Sequence, residues 1–289
     1  MPVIELTTVI GCPLMCSICP QDKLIKTYNG TKYLKLENLQ IILPKIPKYV
    51  RIDFSGMSEP WTNNECTNMF QYVLESGYDV GIYTTLVGMT LFDTDRFVNL
   101  IHKYHSQIKV LCIHLPDKHG NMRGWKYTDE YEYSLSKIIE LQNFQFFQSM
   151  TMNETAEVHD DIKHFNIKLV DWNNNWLGHT RANSLTVTTQ NKNSIYLHTE
   201  HQSPVSCAST PFYDHNVILP NGDVVLCCMD YSLKHIIGNL LRDNYDDLYI
   251  SNELIKIMKE NKKVTHSKCS ICKSCDNAKI HKLTSNHWI

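Results

Sequence analysis

The 289-residue chain contains no window approaching the ~20 apolar residues needed to span a membrane. Its N-terminus lacks a basic region and a small-residue cleavage site, and Glu5, Thr7 and Thr8 interrupt the apolar stretch there. From that pattern no secretory signal is expected. Charge of either sign is not in excess: 28 Lys and Arg stand against 30 Asp and Glu, a formal net charge of −2. No basic block offers a nucleic-acid surface, and no acidic tail suggests disorder. The fourteen histidines never form H-E-x-x-H, which removes that zinc-hydrolase signature.

Cysteine, by contrast, is abundant, with eleven in the chain. Without an export signal, cysteines are metal ligands more often than disulfide partners. The expectation is a cytoplasmic protein with neither a nucleic-acid nor a membrane partner. At 43% apolar residues the chain can bury one large core and a smaller one beside it.

Three cysteines cluster in Ile10-Gly11-Cys12-Pro13-Leu14-Met15-Cys16-Ser17-Ile18-Cys19-Pro20, spaced C-x3-C-x2-C after an apolar run. Thiolates are the soft ligands chosen by iron–sulfur clusters and zinc. Three thiolates on a four-iron cube leave one iron open, whereas structural zinc usually closes four ligands in two pairs. On residues alone both readings stand, beside that of three unrelated buried thiols.

Cys12, Cys16 and Cys19 directly after a first strand resemble the motif of the radical S-adenosylmethionine (SAM) enzymes. The resemblance implies a [4Fe-4S] cluster whose open iron is chelated by the amino and carboxylate groups of SAM. It also implies reductive cleavage of SAM to methionine and a 5′-deoxyadenosyl radical, which abstracts hydrogen from substrate.

Val3–Val9, Tyr49–Phe54, Val80–Thr84, Val110–His114, Phe146–Met152 and Ile167–Val170 carry strand patterns. Helical patterns fall at 35–43, 63–76, 93–105, 129–141 and 155–164, the second stopping at Gly77. The alternation argues for βαβ units and a parallel sheet. Six strands before Trp172 match the partial (β/α)6 TIM-type barrel that the resemblance implies, an α/β fold with ligands at the carboxyl ends of its strands.

The strand ends supply the remaining candidates. Ser55-Gly56-Met57-Ser58-Glu59-Pro60 resembles the family's Gly-Gly-Glu segment, with Ser58 replacing one glycine. Ser55 and Gly56 are then cofactor-binding candidates, and Glu59 is the candidate for the SAM ammonium. Thr84 and Thr85 stand where relatives carry Thr-Asn-Gly. His114 and Asp117 stand where relatives carry Ser-Leu-Asp against the ribose. Ser149 and Asn153 are candidate mouth residues. Trp172 to Asn183 resembles a Trp…Arg-Ala-Gly segment, so Arg181 is a candidate partner of the SAM carboxylate, where a planar guanidinium suits bidentate contact. His114 and Arg181 are the weak catalytic candidates.

Residues 184–203 are rich in Ser, Thr, Asn and Gln and serve as a linker between a barrel at 1–183 and a small domain at 204–289. Within that domain Cys207 precedes a hairpin turned by Pro220-Asn221-Gly222-Asp223, then Cys227, Cys228, Ile237-Gly238-Asn239, a helix near 245–261, and Cys269-x2-Cys272-x2-Cys275. The pattern resembles the SPASM/Twitch extension. Because the C-x2-C-x5-C-x3-C run is missing, it favours the Twitch form with one auxiliary [4Fe-4S] cluster on Cys207, Cys227, Cys272 and Cys275, with Cys269 as alternate. A zinc knuckle is the competing reading of this tail. Cys228 is expected on the opposite strand face from Cys227, and Cys66 and Cys112 are expected to be plain buried cysteines.

The expected function is radical SAM oxidation of a small-molecule alcohol or amino-sugar, with a flavodoxin- or ferredoxin-type reductant. Peptide modification is the alternative, because the chain starts almost at its first strand and shows no leader-peptide-binding segment before it. A non-catalytic iron–sulfur or zinc protein is the remote one.

Overall fold

The strand Val3–Leu6 (β1) lies in the middle of an eight-stranded sheet that both ends of the chain help to build. The computed structural model describes residues 1–151, 157–170, 180–185 and 199–281. After β1 the cysteine loop contains the short strand Met15–Cys16 (β2), followed by helices Gln21–Thr27 (α1) and Leu36–Ile42 (α2). Strand Arg51–Phe54 (β3), helix Cys66–Glu75 (α3), strand Val80–Thr84 (β4) and helix Leu91–Lys103 (α4) come next. Strands Ile108–Leu115 (β5) and Met122–Arg123 (β6), helix Asp129–Ile139 (α5) and strand Phe147–Thr151 (β7) complete this half. The C-terminal part holds strands Val205–Cys207 (β8), His215–Ile218 (β9), Asp223–Val225 (β10) and Ile236–Asn239 (β11). Helix Asn252–Asn261 (α6) and strand Ala278–Ile280 (β12) close it.

Strands β1, β3, β4, β5 and β7 pair in parallel, in that order. Period-two alternation then sorts their side chains. Ile4, Leu6, Ile52, Phe54, Ile82, Leu111 and Ile113 share one buried cluster with Leu39, Ile42, Phe70, Phe97 and Leu135 of the helices. That apolar face drives assembly, each fully buried side chain contributing about 1.5–3 kcal/mol before entropy is charged against it.

The opposite face is polar. Registers Glu5↔Asp53, Asp53↔Gly81 and Tyr83↔Cys112 place ionisable groups inside the curved sheet. Arg51 grips Asp53 through two donors at 2.6 and 2.7 Å. Gly81 leaves the room for them, since a methyl there would overlap Asp53 Oδ1. The result is a mixed α/β fold with a large parallel sheet of partial TIM-barrel type.

Two expectations change. Ile167–Val170 is not a strand: Asn166 turns left-handed at φ 48°, and one backbone bond, Val170 N to Ser149 O at 2.8 Å, ties the segment to β7. A helix at 155–164 gives way to a 3-10 turn, Asp160–Phe165, and residues 152–156 lie outside the described residues. In the C-terminal part β8 and β12 pair apart as a two-stranded sheet, whereas the hairpin joins the large one. β9 pairs in parallel with β1 (Glu5↔Val217), and β10 and β11 extend the same sheet. The expected linker lies largely outside the described residues, as do Asn153 and 171–179.

Candidate functional site

At the carboxyl ends of the strands the chain turns around a cavity of about 320 Å³ lined by Cys12, Cys16, Cys19, Gly56, Glu59 and Thr85, among others. Backbone pairing fixes the cysteine loop: β2 pairs antiparallel with β6 (Cys16↔Met122), and Ser17 N donates to Asn121 O at 2.8 Å. Asp117 holds that second loop through the Asn121 backbone and amide, so its carboxylate closes a turn.

The turn after β3 requires its glycine. Gly56 has φ 64°, and a methyl there would run into Thr7. Met57 N donates to Thr7 Oγ1 at 3.1 Å, tying the turn to the end of β1. Glu5 Oε2 accepts from Gly56 N and Ser55 Oγ, each at 3.1 Å. Glu5 Oε1 stands 2.7 Å from His215 Nε2, a close charge pairing rather than an aligned hydrogen bond. Burial pulls the His215 imidazolium down, and the Glu5 carboxylate outweighs it, so His215 titrates above its ordinary value.

Glu59 is 4% exposed, and donors surround its carboxylate. Thr84 Oγ1 (2.6 Å), Thr85 N (2.6 Å), Thr85 Oγ1 (2.7 Å) and Trp61 N (3.4 Å) all donate to it. Burial raises its pKa against the pull of those donors. Trp61 anchors the turn in an aromatic cluster, edge-on to Phe97 at 5.1 Å. Glu59 therefore joins the β3 and β4 ends while keeping a buried charge at the cavity wall. Glu59→Gln turns an amide NH2 toward these donors, and the expected loss is about 1–3 kcal/mol of stability in denaturant unfolding of the cluster-free protein.

Burial pushes the Cys12 thiol up to about 11 and raises Cys16 and Cys19 as well. His114 lies on the wall, half-buried, and burial together with Arg181 pulls it down to about 4, so its imidazole is neutral. Arg181 donates from Nε to Ile18 O (3.3 Å) and from Nη1 to Met229 Sδ (3.8 Å), spanning the cysteine loop and the C-terminal part. Ser55 and Thr85 also line the cavity. Ser149 does not: it pairs with Ile113 on the other face and donates to Lys168 O, while Met150 lines the cavity in its place. Ser58 Oγ is buried on the wall without a partner among the described residues.

A second cavity of about 170 Å³ is lined by Cys207, Cys227, Cys228, Cys272 and Cys275. Burial pushes Cys275 up to about 12 and raises Cys227 and Cys272. Ser270 Oγ accepts from Cys272 N at 3.2 Å, and buried His235 accepts from Ile271 N at 3.1 Å while pairing with Glu253 at 2.7 Å, which fixes the terminal cysteine loop. Cys269 is exposed and outside this lining. Cys228 is a correction: β10 ends at Val225, strand alternation no longer applies, and Cys228 shares the cavity with Cys227. Cys66 and Cys112 are buried in α3 and β5, Cys112 Sγ lying 3.9 Å from His114 Nε2.

None of the eleven cysteines is in a disulfide. Among the described residues no three His, Cys, Asp or Glu side chains close tightly around a single ion; the thiols ring cavities instead. Two sets of thiols around two cavities, one beside an unpartnered hydroxyl and a buried carboxylate, fit two clusters and a polar ligand at the first. Sequence reasoning missed Glu5, Cys228, Met229 and Tyr231 at these sites; a carboxylate within an otherwise buried strand was the available signal for Glu5.

Residues 207–276 match the SPASM family, an iron–sulfur cluster-binding domain. No curated protein matches the chain by sequence. Among solved structures, it resembles BtrN in complex with AdoMet and 2-DOIA at TM-score 0.61 and 14% identity, over 96% of this chain and 92% of that one. It resembles anSMEcpe with bound AdoMet and Cp18Cys peptide at TM-score 0.55 and 12% identity, over 95% and 86% of the two chains. Streptococcus suis SuiB bound to precursor peptide SuiA matches at TM-score 0.50 and 12% identity, over 94% and 69%. Among the described residues no helix is long and apolar enough to cross a membrane. With its cysteine loop at the strand ends and its matched cluster-binding domain, the chain has the fold of the radical SAM enzymes with a C-terminal SPASM-type iron–sulfur domain.

Proposed function

We propose that the chain binds a [4Fe-4S] cluster on Cys12, Cys16 and Cys19, binds SAM beside it, and oxidises a small-molecule alcohol or amino-sugar. Cys207, Cys227, Cys272 and Cys275 hold one auxiliary [4Fe-4S] cluster, and Cys269 stands aside. When bound, cluster and SAM supply a 5′-deoxyadenosyl radical that takes a hydrogen atom from carbon. Glu59, fixed by Thr84 and Thr85, presents negative charge toward the SAM ammonium, and the Gly56 turn lets backbone approach it. Arg181 offers its guanidinium to the carboxylate, and Thr85 and Ser55 complete the polar wall. His114, at about 4, is too weak a base to keep a proton at neutral pH; it accepts a hydrogen bond from a ribose or substrate hydroxyl. A flavodoxin- or ferredoxin-type protein supplies the electrons. By this reading the barrel covers 1–183 and the cluster domain 204–289, joined through β1 and β9.

The observation that carries the small-molecule reading is the polar inner face. Glu5, Asp53 and Arg51 lie on the same sheet face as Tyr83, which lines the cavity, and such a face offers hydrogen-bonding groups to a compact hydroxylated substrate. The likeness to BtrN, whose structure holds 2-DOIA, supports it further. The likeness to anSMEcpe and SuiB, both solved with peptides, supports the peptide alternative. Anaerobic incubation with reductant, SAM and a panel of amino-sugars and cyclitols decides between them. Substrate-dependent 5′-deoxyadenosine and a ketone are expected; turnover with peptides alone would overturn the small-molecule reading.

A further inference from the structure

The C-terminal part reaches back to the first cysteine site through the loop that follows Cys227. Asp230, 1% exposed, organises this loop by accepting from Lys234 N (3.1 Å), His235 N (2.7 Å) and Ser232 Oγ (2.9 Å). Four residues beyond Cys227, Tyr231 is 5% exposed, and its ring packs with Ile10, Leu24 and Met57. Its hydroxyl lies 3.7 Å from Cys19 Sγ, across 212 residues of sequence. Arg181 crosses the same seam between Ile18 O and Met229 Sδ. Local backbone serves Cys12, whose sulfur accepts from Leu14 N at 3.4 Å; Cys19 meets a phenol from the other end of the chain.

We propose that Tyr231 is a positioning residue of the first cluster, donating a hydrogen bond to the Cys19 thiolate and thereby raising the reduction potential of the cluster that cleaves SAM. The inference rests on the reading that Cys12, Cys16 and Cys19 hold that cluster. A cluster-bound thiolate only accepts, and a phenol is protonated at neutral pH, so the direction of the bond is fixed. Hydrogen bonds to cluster sulfurs and burial are the protein's means of setting the potential. A donor stabilises the extra negative charge of the reduced state and favours reduction. The segment Cys227–Tyr231 thus makes the SPASM-type domain part of the surroundings of both cysteine sites, and the first cluster acquires its full set of donors only when that domain is docked.

The test is an EPR-monitored redox titration of the anaerobically reconstituted full chain and its Tyr231→Phe variant, with iron and sulfide counted. Phenylalanine keeps the ring packing and removes only the hydroxyl. The first cluster is the signal that added SAM perturbs. Its midpoint is expected to move to more negative potential, with a reduction equilibrium about tenfold less favourable, about 59 mV for one electron, while the auxiliary signal stays in place. An unchanged midpoint at full iron content would overturn the proposal. Should the variant fail to load, wild-type ENDOR in H2O and D2O decides: a strongly coupled exchangeable proton on the first cluster supports the hydrogen bond, and its absence overturns it. If SAM perturbs no signal and a Cys12, Cys16 and Cys19 triple alanine variant keeps all its iron, the underlying reading falls and the proposal with it.

Discussion

Cys16→Ala is expected to abolish 5′-deoxyadenosine formation and to lower the iron content of the reconstituted chain from about eight to about four per molecule. Two arguments make this the sharpest test of the first site. The position is held by backbone: β2 pairs with β6, so an alanine at 16 keeps the loop in place and removes only the sulfur. The competing reading treats Cys16, 7% exposed and packed with Leu14 and Met122, as a small hydrophobe. That reading predicts a modest loss of stability, about 1 kcal/mol, with activity retained. The measurements are iron and sulfide counts and chromatography of SAM products under dithionite. Retained cleavage at full iron content would remove the cysteine loop from the mechanism.

The first site was legible because its ligands lie within eight residues, and C-x3-C-x2-C needs only local chain geometry to bring three thiols together. The same holds for the Gly56 turn, where the backbone demands a positive φ. Parity was harder to read. Ser149 and Met150 are one residue apart, and only the register His114↔Met150 decides which of them faces the cavity. Ile167–Val170 shows the limit of propensity: a short run with β-branched Ile167 and Val170 makes a strand only if a partner ladder forms, and here a left-handed Asn166 and one backbone bond end the attempt. Glu5–His215 and Cys19–Tyr231 depend on β9 docking against β1, a pairing of segments more than 200 residues apart. No local pattern encodes that register, so the join between the two cysteine sites emerged only in three dimensions.

That join frames the second large effect, at the auxiliary cysteines. Cys227 and Cys272 both line the second cavity and come from different segments, one after β10 and one in the loop that His235 and Ser270 hold. A Cys227→Ala, Cys272→Ala double variant is expected to lose about four irons. It should still make 5′-deoxyadenosine while ketone formation drops about tenfold or more, roughly 1.4 kcal/mol or more of barrier. The reason is division of labour: Cys12, Cys16, Cys19 and Glu59 all lie on the first cavity and stay in place, whereas the second electron of an alcohol oxidation loses its acceptor. Cys269→Ala serves as the internal control, because that thiol is exposed and outside the cavity, and iron content and product yield should both be unchanged. A zinc site in this tail would give a different pattern: the double variant would lose zinc and thermal stability, with iron unaffected at about four. Iron, zinc and product measured on the same three preparations therefore separate an electron-accepting cluster from a structural metal. Full ketone yield without the second cluster would reassign the oxidation to the first cavity alone.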